Sequence, residues 1–270
     1  MKKWIFFIFP LVIISFFAYE YIEFAEAPRT LLAVENDQVY RGELLLVSRD
    51  FSISEQGLPN DIVMLGDYKS MAPELWVPDT SIRISRNLLQ NLGLMLKEAK
   101  KDRVDHFMIN SAYRNLDTQA QLYKEMGSEY ALPAGHSEHN LGLSVDIGST
   151  DGSMDTAPEG RWLEQNAWKY GFILRYPKNK REVTGIQYEP WHFRFVGFPH
   201  SAIMHKENWV LEEYLAYLRE HRQYKTTVQG IKYEITYYEM VEGLEVPVIP
   251  ERPYYISGDN MSGVIVTVER

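Results

Sequence analysis

The chain has 270 residues, 45% hydrophobic and 24% charged, which excludes a disordered protein and leaves room for one or two domains with a full core. Lys+Arg number 28 against 37 Asp+Glu, a formal net charge of −9, so the chain is a poor match for a phosphate backbone and no nucleic-acid partner is expected. It contains no cysteine, which removes disulfides, thiolate zinc sites and cysteine nucleophiles together without fixing the compartment.

Lys2 and Lys3 precede an apolar run from Trp4 to Tyr19, and Glu20, Glu23 and Glu26 follow it. Positive before and negative after orients the N-terminus inside and the bulk of the chain outside. With Tyr21, Ile22 and Phe24 the run reaches about 20 residues, the length of a membrane span. Ala25-Glu26-Ala27 has the form of a signal-peptide cleavage site, but it lies far from the apolar run and Pro28 would follow the cut. The reading therefore favours residues 1–27 as an uncleaved, single-pass signal anchor in the cell membrane over a cleaved signal peptide.

Residues 28–80 carry scattered turn signals, with a short strand predicted from Glu43 to Ser48, and read as a stalk and lead-in. Apolar residues at Ile84, Leu88, Leu92, Met95, Leu96 and Ala99 predict a helix over Ser81–Lys101. A strand follows at Val104–Ile109 and a helix at Asn115–Met126, closed by Gly127. Gly142 to Ile147 alternates, with Leu143, Val145 and Ile147 on one face and Ser144 and Asp146 on the other. A helix over Arg161–Tyr170 stops at Gly171, strands follow near Phe172–Arg175 and Trp191–Val196, and Asn208–His221 reads as an amphipathic helix. Residues 81–222 thus form the main domain. Residues 223–270 form a small β-rich extension, with β-formers at Tyr233–Tyr238, Pro247–Ile249 and Val264–Val268.

Several chemistries are missing. No serine has a lysine three residues later, and there is no Gly-x-Ser-x-Gly elbow, no His-Glu-x-x-His and no phosphate-binding glycine loop. What remains is a split constellation: Ser137-Glu138-His139-Asn140-Leu141-Gly142-Leu143-Ser144-Val145-Asp146, then Glu189-Pro190-Trp191-His192. A catalytic zinc takes three His or carboxylate ligands and leaves one position for water. If the two strands are neighbours, His139, Asp146 and His192 can converge on one metal. Two neutral imidazoles and one carboxylate leave a charge of +1, which lowers the pKa of a bound water from 15.7 to about 7. Glu189, three residues before His192, is placed to move the water's proton, and Trp191 to keep bulk water out. A lone His or Asp is more often structural; the two halves in this order, with Ser111-Ala112-Tyr113-Arg114 upstream, carry the argument.

This pattern resembles the zinc D-alanyl-D-alanine peptidases, and most closely the VanY-type D,D-carboxypeptidases of glycopeptide-resistant bacteria. The likeness extends over Ile109–Arg114, Glu129–Gly148, Ala157–Pro177, Thr184–Met204 and the tail through Ile256–Val268. It implies an α+β fold in which an antiparallel sheet, flanked by helices, holds one zinc ion per chain. It implies removal of a C-terminal D-Ala, or D-lactate, from peptidoglycan precursor peptides. By the same resemblance His139, Asp146 and His192 are the zinc ligands, Glu189 the catalytic base and Arg114 the group that steadies the oxyanion, while Gln119 and Ser137 hold substrate. A guanidinium that cannot deprotonate suits that role, and Trp191 is placed with the substrate contacts. Ser137 offers a hydroxyl donor and Gln119 an amide donor for the substrate carboxylate. His136 departs from the pattern, as a candidate for the substrate rim or the surroundings of the metal. A zinc D,D-dipeptidase, an L,D-carboxypeptidase and a non-catalytic cell-wall-binding domain remain the alternatives, the last opposed by intact Glu189 and Arg114.

Overall fold

The computed structural model describes residues 28–127 and 131–270, so the anchor expected over residues 1–27 lies outside the described residues. Among the described residues no helix is long and apolar enough to cross a membrane. In chain order the strands are β1 (Thr30–Ala33), β2 (Ile62–Met64), β3 (Arg83–Ser85), β4 (Phe107–Ser111), β5 (Ser144–Ser149), β6 (Phe172–Leu174), β7 (His192–Phe195), β8 (Gln223–Val228), β9 (Ile231–Glu239), β10 (Glu245–Val248), β11 (Tyr254–Gly258) and β12 (Gly263–Glu269). The helices are α1 (Arg86–Lys101), α2 (Leu116–Met126), α3 (Pro158–Asn166), α4 (Arg181–Thr184), α5 (His200–Glu207) and α6 (Leu211–His221). The named strands pair antiparallel throughout, giving a mixed α+β fold.

The first four-stranded sheet has the order β4-β5-β7-β6. Its two faces follow from strand alternation. Val145, Ile147, Phe193 and Phe195 point into a core that they share with Leu88, Leu92, Met95 and Leu96 of α1 and Leu163 of α3. Each such buried side chain stabilises the fold by roughly 1.5–3 kcal/mol. The alternate positions, Ser144, Asp146, His192 and Arg194, form a polar row on the other face, where the register sets Ser144 opposite Arg194 and Asp146 opposite His192. In α1, Gly93 is required by close approach: a Cβ there would sit 1.9 Å from the Met71 carbonyl oxygen.

Three local expectations shift. The helix predicted from Ser81 begins at Arg86, because residues 83–85 pair with β2 and Ser85 caps the helix, its hydroxyl accepting from the Leu88 N–H. The strand predicted from Val104 begins at Phe107, because Val104 N–H turns back to the Ala99 carbonyl to close α1. The helix predicted from Asn208 begins at Leu211; Asn208, at φ +55°, instead ends α5, which had no separate expectation.

The second four-stranded sheet, β11-β12-β9-β8, is built by the tail. Helices α5 and α6 cover one face through Ile203, Leu211, Tyr214, Leu215 and Leu218 against Tyr233, Ile235, Tyr237 and Ile265. The β1–β10 ribbon covers the other through Val34, Val246 and Val248 against Val264, Val266 and Val268. Residues 44–47, within the stretch read as stalk and lead-in, run buried between the two units. Leu44 and Leu46 join the α6 core, and Leu45 and Val47 pack on Leu141. The expected strand over Glu43–Ser48 joins no sheet; its backbone is satisfied largely by side chains, with the Leu46 N–H donating to the Asp259 carbonyl. Arg194 donates to the Glu43 and Leu45 carbonyls, Asn260 donates to the Leu46 carbonyl, and the Leu44 N–H donates to Ser257 Oγ.

Candidate active site and metal centre

His139 sits on a single 3-10 turn, Glu138–Leu141, that Ser137 opens and Gly142 closes at φ +68°, a left-handed conformation favouring glycine. The turn delivers the chain directly into β5, which carries Asp146, and Asp146 lies opposite His192 on β7. One ligand atom from each of His139, Asp146 and His192 lies within 4.8 Å of the others. Asp146 bridges the two rings, with Oδ2 3.3 Å from His139 Nε2 and Oδ1 3.0 Å from His192 Nδ1.

The remaining ring nitrogens are committed elsewhere. His139 Nδ1–H donates to the Ala112 carbonyl at 2.5 Å, which leaves its Nε2 lone pair facing Asp146. His192 Nε2–H donates to Glu138 Oε2 at 3.4 Å, which leaves Nδ1 facing Asp146. Such outer hydrogen bonds fix which nitrogen of a histidine is available to a metal. Burial lowers the pKa of His139 and favours the neutral ring a metal needs. At His192 burial is outweighed by the bonds to Asp146 and Glu138, which push the pKa up to about 9. Burial also opposes the charge on Asp146, but His139 and His192 hold that carboxyl well below the usual carboxylate range. Without a metal, His192 therefore carries a proton on each ring nitrogen, its Nδ1–H donating to Asp146; a metal would take the place of that proton, and the set of two imidazole nitrogens and a carboxylate fits zinc.

Beneath the ligands lies a buried charge network that the sequence reading missed. Glu138 accepts from Arg175 Nε at 2.8 Å, Arg194 Nη1 at 2.7 Å and Ser144 Oγ at 3.1 Å, besides His192. Arg175 also grips Glu212 of α6 with two hydrogen bonds, at 2.8 and 2.6 Å. The sequence signal was a charged residue in or next to a short apolar strand, Arg194 within β7 and Arg175 just past β6.

The site opens into a cleft of about 810 Å³ lined by Arg114, Gln119, Ser137, Tyr176, Glu189 and Trp191 among others. Glu189 Oε2 is 3.8 Å from His192 Nδ1, and burial raises its pKa. The Arg114 backbone is clamped to the His139 turn: its N–H donates to the His139 carbonyl and its carbonyl accepts from Asn140 Nδ2. Its Nε is buried with no partner among the described residues. Ser137 is buried at the N-cap of the turn. Trp191 is 41% exposed, at the cleft wall. His136 Nδ1 donates to the Ser48 carbonyl, tying the 44–52 segment to the loop before Ser137. Gln119 Nε2 donates one hydrogen to the Leu132 carbonyl at 2.6 Å and keeps a second N–H, while its acceptor Oε1 has no partner among the described residues. A second group, His106, Asp151 and Glu159, also converges, but His106 and Asp151 are exposed and bonded to each other.

Comparison with known proteins places this geometry in context. The family model VanY, D-alanyl-D-alanine carboxypeptidase, matches residues 81–198. A D-alanyl-D-alanine carboxypeptidase of Enterococcus faecium is 50% identical over 235 residues, 87% of this chain and 78% of that protein. Among solved structures, the vancomycin-resistance D,D-dipeptidase VanXYg, in complex with a D-Ala-D-Ala phosphinate analogue, superposes with a TM-score of 0.78 at 27% identity, covering 90% of this chain and all of that one. A Zn(II) complex of a mutant of the D,D-pentapeptidase VanY from a VanB-type resistance cassette superposes with a TM-score of 0.54 at 28% identity, over 64% of this chain and 98% of that one.

Proposed function

Since the chain belongs to the VanY family of D-alanyl-D-alanine carboxypeptidases, we propose that it removes the last residue from peptidoglycan precursor peptides ending in D-Ala-D-Ala or D-Ala-D-lactate, using one zinc ion. The observation that carries this is the convergence of His139 Nε2, the Asp146 carboxylate and His192 Nδ1, with the other nitrogen of each ring bonded to Ala112 or Glu138.

When bound there, zinc supplies a water of lowered pKa and polarises the scissile carbonyl. The residues of the chain do the rest. Glu189 takes the water's proton and returns it to the departing amine; its raised pKa brings it nearer to the working pH of such a shuttle. Arg114 directs its guanidinium at the carbonyl oxygen as negative charge develops. Ser137 donates to the substrate's terminal carboxylate, and Trp191 forms an apolar wall beside it. Residues 1–27 anchor the protein as a single pass, with residues 81–222 as the peptidase outside the cell, residues 28–80 leading into it and residues 223–270 extending it.

The test is mass spectrometry of a wall pentapeptide incubated with the full chain and zinc. Loss of one D-alanine, abolished by a chelator and restored by zinc, is the expected result; an unchanged peptide refutes the reading. Protease added to intact cells should reach the body of the protein, and protection from it would refute the orientation. A second reading, a D,D-dipeptidase, is favoured by the superposition with VanXYg over 90% of the chain. A kcat/KM higher for free D-Ala-D-Ala than for the pentapeptide would select it.

A further inference from the structure

The tail reaches the active site at one remove. Asn260 lies in the turn between β11 and β12, buried and at φ +64°. Its neighbour Asp259 stiffens that turn: Oδ1 accepts from the N–H groups of Met261, Ser262 and Gly263, and Oδ2 accepts from the Tyr237 hydroxyl. The Asn260 side chain bonds elsewhere. Its Nδ2 donates one hydrogen to the Leu46 carbonyl at 2.8 Å and the other to the Ser52 carbonyl at 2.9 Å. One amide thus closes the neck of the loop over residues 46–52.

That loop braces the cleft. The Ser48 carbonyl accepts from His136 Nδ1 at 2.8 Å, and the Ile53 N–H, just past the neck, donates to the Gly135 carbonyl at 2.7 Å. Both contacts fall on the two residues before Ser137. Leu132 and Ser137 of this stretch line the cleft, and so does Arg49 of the loop. The metal ligands are held by other means. Strands β5 and β7 pair with each other, Ala112 fixes the His139 ring, and Glu138 fixes the His192 ring. Arg194 grips the chain upstream of the loop, at the Glu43 and Leu45 carbonyls. Loss of the Asn260 amide therefore opens the neck of the loop and loosens the 131–137 wall, while the metal set keeps its supports.

We propose that Asn260 is a positioning residue: from the tail it holds, through the 46–53 loop, the wall of the cleft that carries Ser137. The β-rich extension is then part of the substrate site rather than an addition to it. This inference rests on the carboxypeptidase reading and adds to it a residue outside the cleft.

The test substitution is Asn260→Gly. Glycine accepts a positive φ, so the turn is kept and only the amide is lost. With the full chain, zinc and an acyl-D-Ala-D-Ala peptide, KM should rise about tenfold, in line with two lost hydrogen bonds, while kcat and zinc affinity stay within about twofold. A loss carried by kcat or by zinc affinity instead overturns the proposal, as does no change at all. His136→Leu removes the far end of the same link and should give the same KM-selective loss, which decides the matter if Asn260→Gly fails to fold. In the double variant the KM effect should be less than the product of the two single effects, because both act on one link. Effects that multiply in full mark a general loosening and overturn the proposal. Hydrogen exchange gives a reading that needs no activity. Peptides covering residues 46–53 and 131–137 should exchange faster in Asn260→Gly than in wild type, and those of β5 and β7 at the same rate. Unchanged exchange over residues 131–137 overturns the proposal. If wild type leaves the peptide uncut, the carboxypeptidase reading fails, and the exchange rates still decide whether Asn260 braces that wall.

Discussion

Glu138→Gln removes one negative charge from the interior of the protein. Glu138 is 2% exposed, and one of its carboxylate oxygens receives both Arg175 Nε and Arg194 Nη1. The two arginines differ in what they have left. Arg175 keeps its double contact with Glu212, whereas the remaining hydrogen bonds of Arg194 go to the neutral Glu43, Leu45 and Phe195 carbonyls, with the Glu43 carboxylate as a more distant counter-charge. The substitution therefore leaves Arg194 without its hydrogen-bonded counter-charge, and breaking a buried pair in this way costs about 3–5 kcal/mol. It also loosens the partner of His192 Nε2, and losing such an outer contact lowers metal affinity by about 10–100-fold. Urea denaturation of the metal-free proteins would measure the first effect, and competition for zinc with a chromogenic chelator the second. Glu212→Gln is the internal comparison: Glu212 is partly exposed and its loss leaves Arg175 still bound to Glu138, so the cost should be smaller. The reasoning fails if Glu138→Gln costs under about 1 kcal/mol, or if Glu212→Gln costs as much.

Other substitutions and conditions separate the remaining roles. Glu189→Ala should keep zinc and lose about 10²–10⁴-fold in rate, whereas His139→Ala should lose the metal; elemental analysis beside a rate assay checks both. In metal-free protein, His192 at about 9 supplies stability that is complete below the ordinary imidazole value of about 6.5 and is lost as pH rises through 9. The unfolding free energy should fall by about 3 kcal/mol across that window, and a flat profile would contradict the Asp146–His192–Glu138 geometry. Truncation after Arg222 should abolish cooperative unfolding, because it uncovers Tyr214, Leu215 and Leu218 and removes Ser257 and Asn260 from the 44–47 segment. A soluble truncated protein with unchanged zinc affinity would count against that coupling.

The metal ligands were legible because their geometry is largely local. A turn, a strand alternation and one strand pairing bring His139, Asp146 and His192 together, and each leaves a mark at short range in the sequence. Glu138 was not legible: beside His139 it looks like a solvated charge, and only contacts with Arg175 and Arg194, 37 and 56 residues away, give it a buried role. The anchoring of Gln119 was not legible for the same reason, since Leu132, which takes one of its two N–H groups, lies across a loop. In the tail, the β-formers fall within β9, β10 and β12, except that β10 ends before Ile249. Nothing local to Glu43–Ser48 tells that its backbone bonds go largely to distant side chains and to the Asp259 carbonyl rather than to a neighbouring strand.

The buried run from Leu44 to Val47 also sets the timing of assembly. Its partners include Arg194, Ser257 and Asn260, and the register of the first ribbon joins Thr30 to Val248. Segments made early must therefore wait for segments made last. Contacts of such separation carry a large loop-closure cost and slow the search for the native state. Leu44–Val47 stay exposed, and the sheet that carries Asp146 and His192 lacks its full set of neighbours, until the final strands arrive. That interval is when this protein is most open to proteolysis and to pairing with the wrong strand.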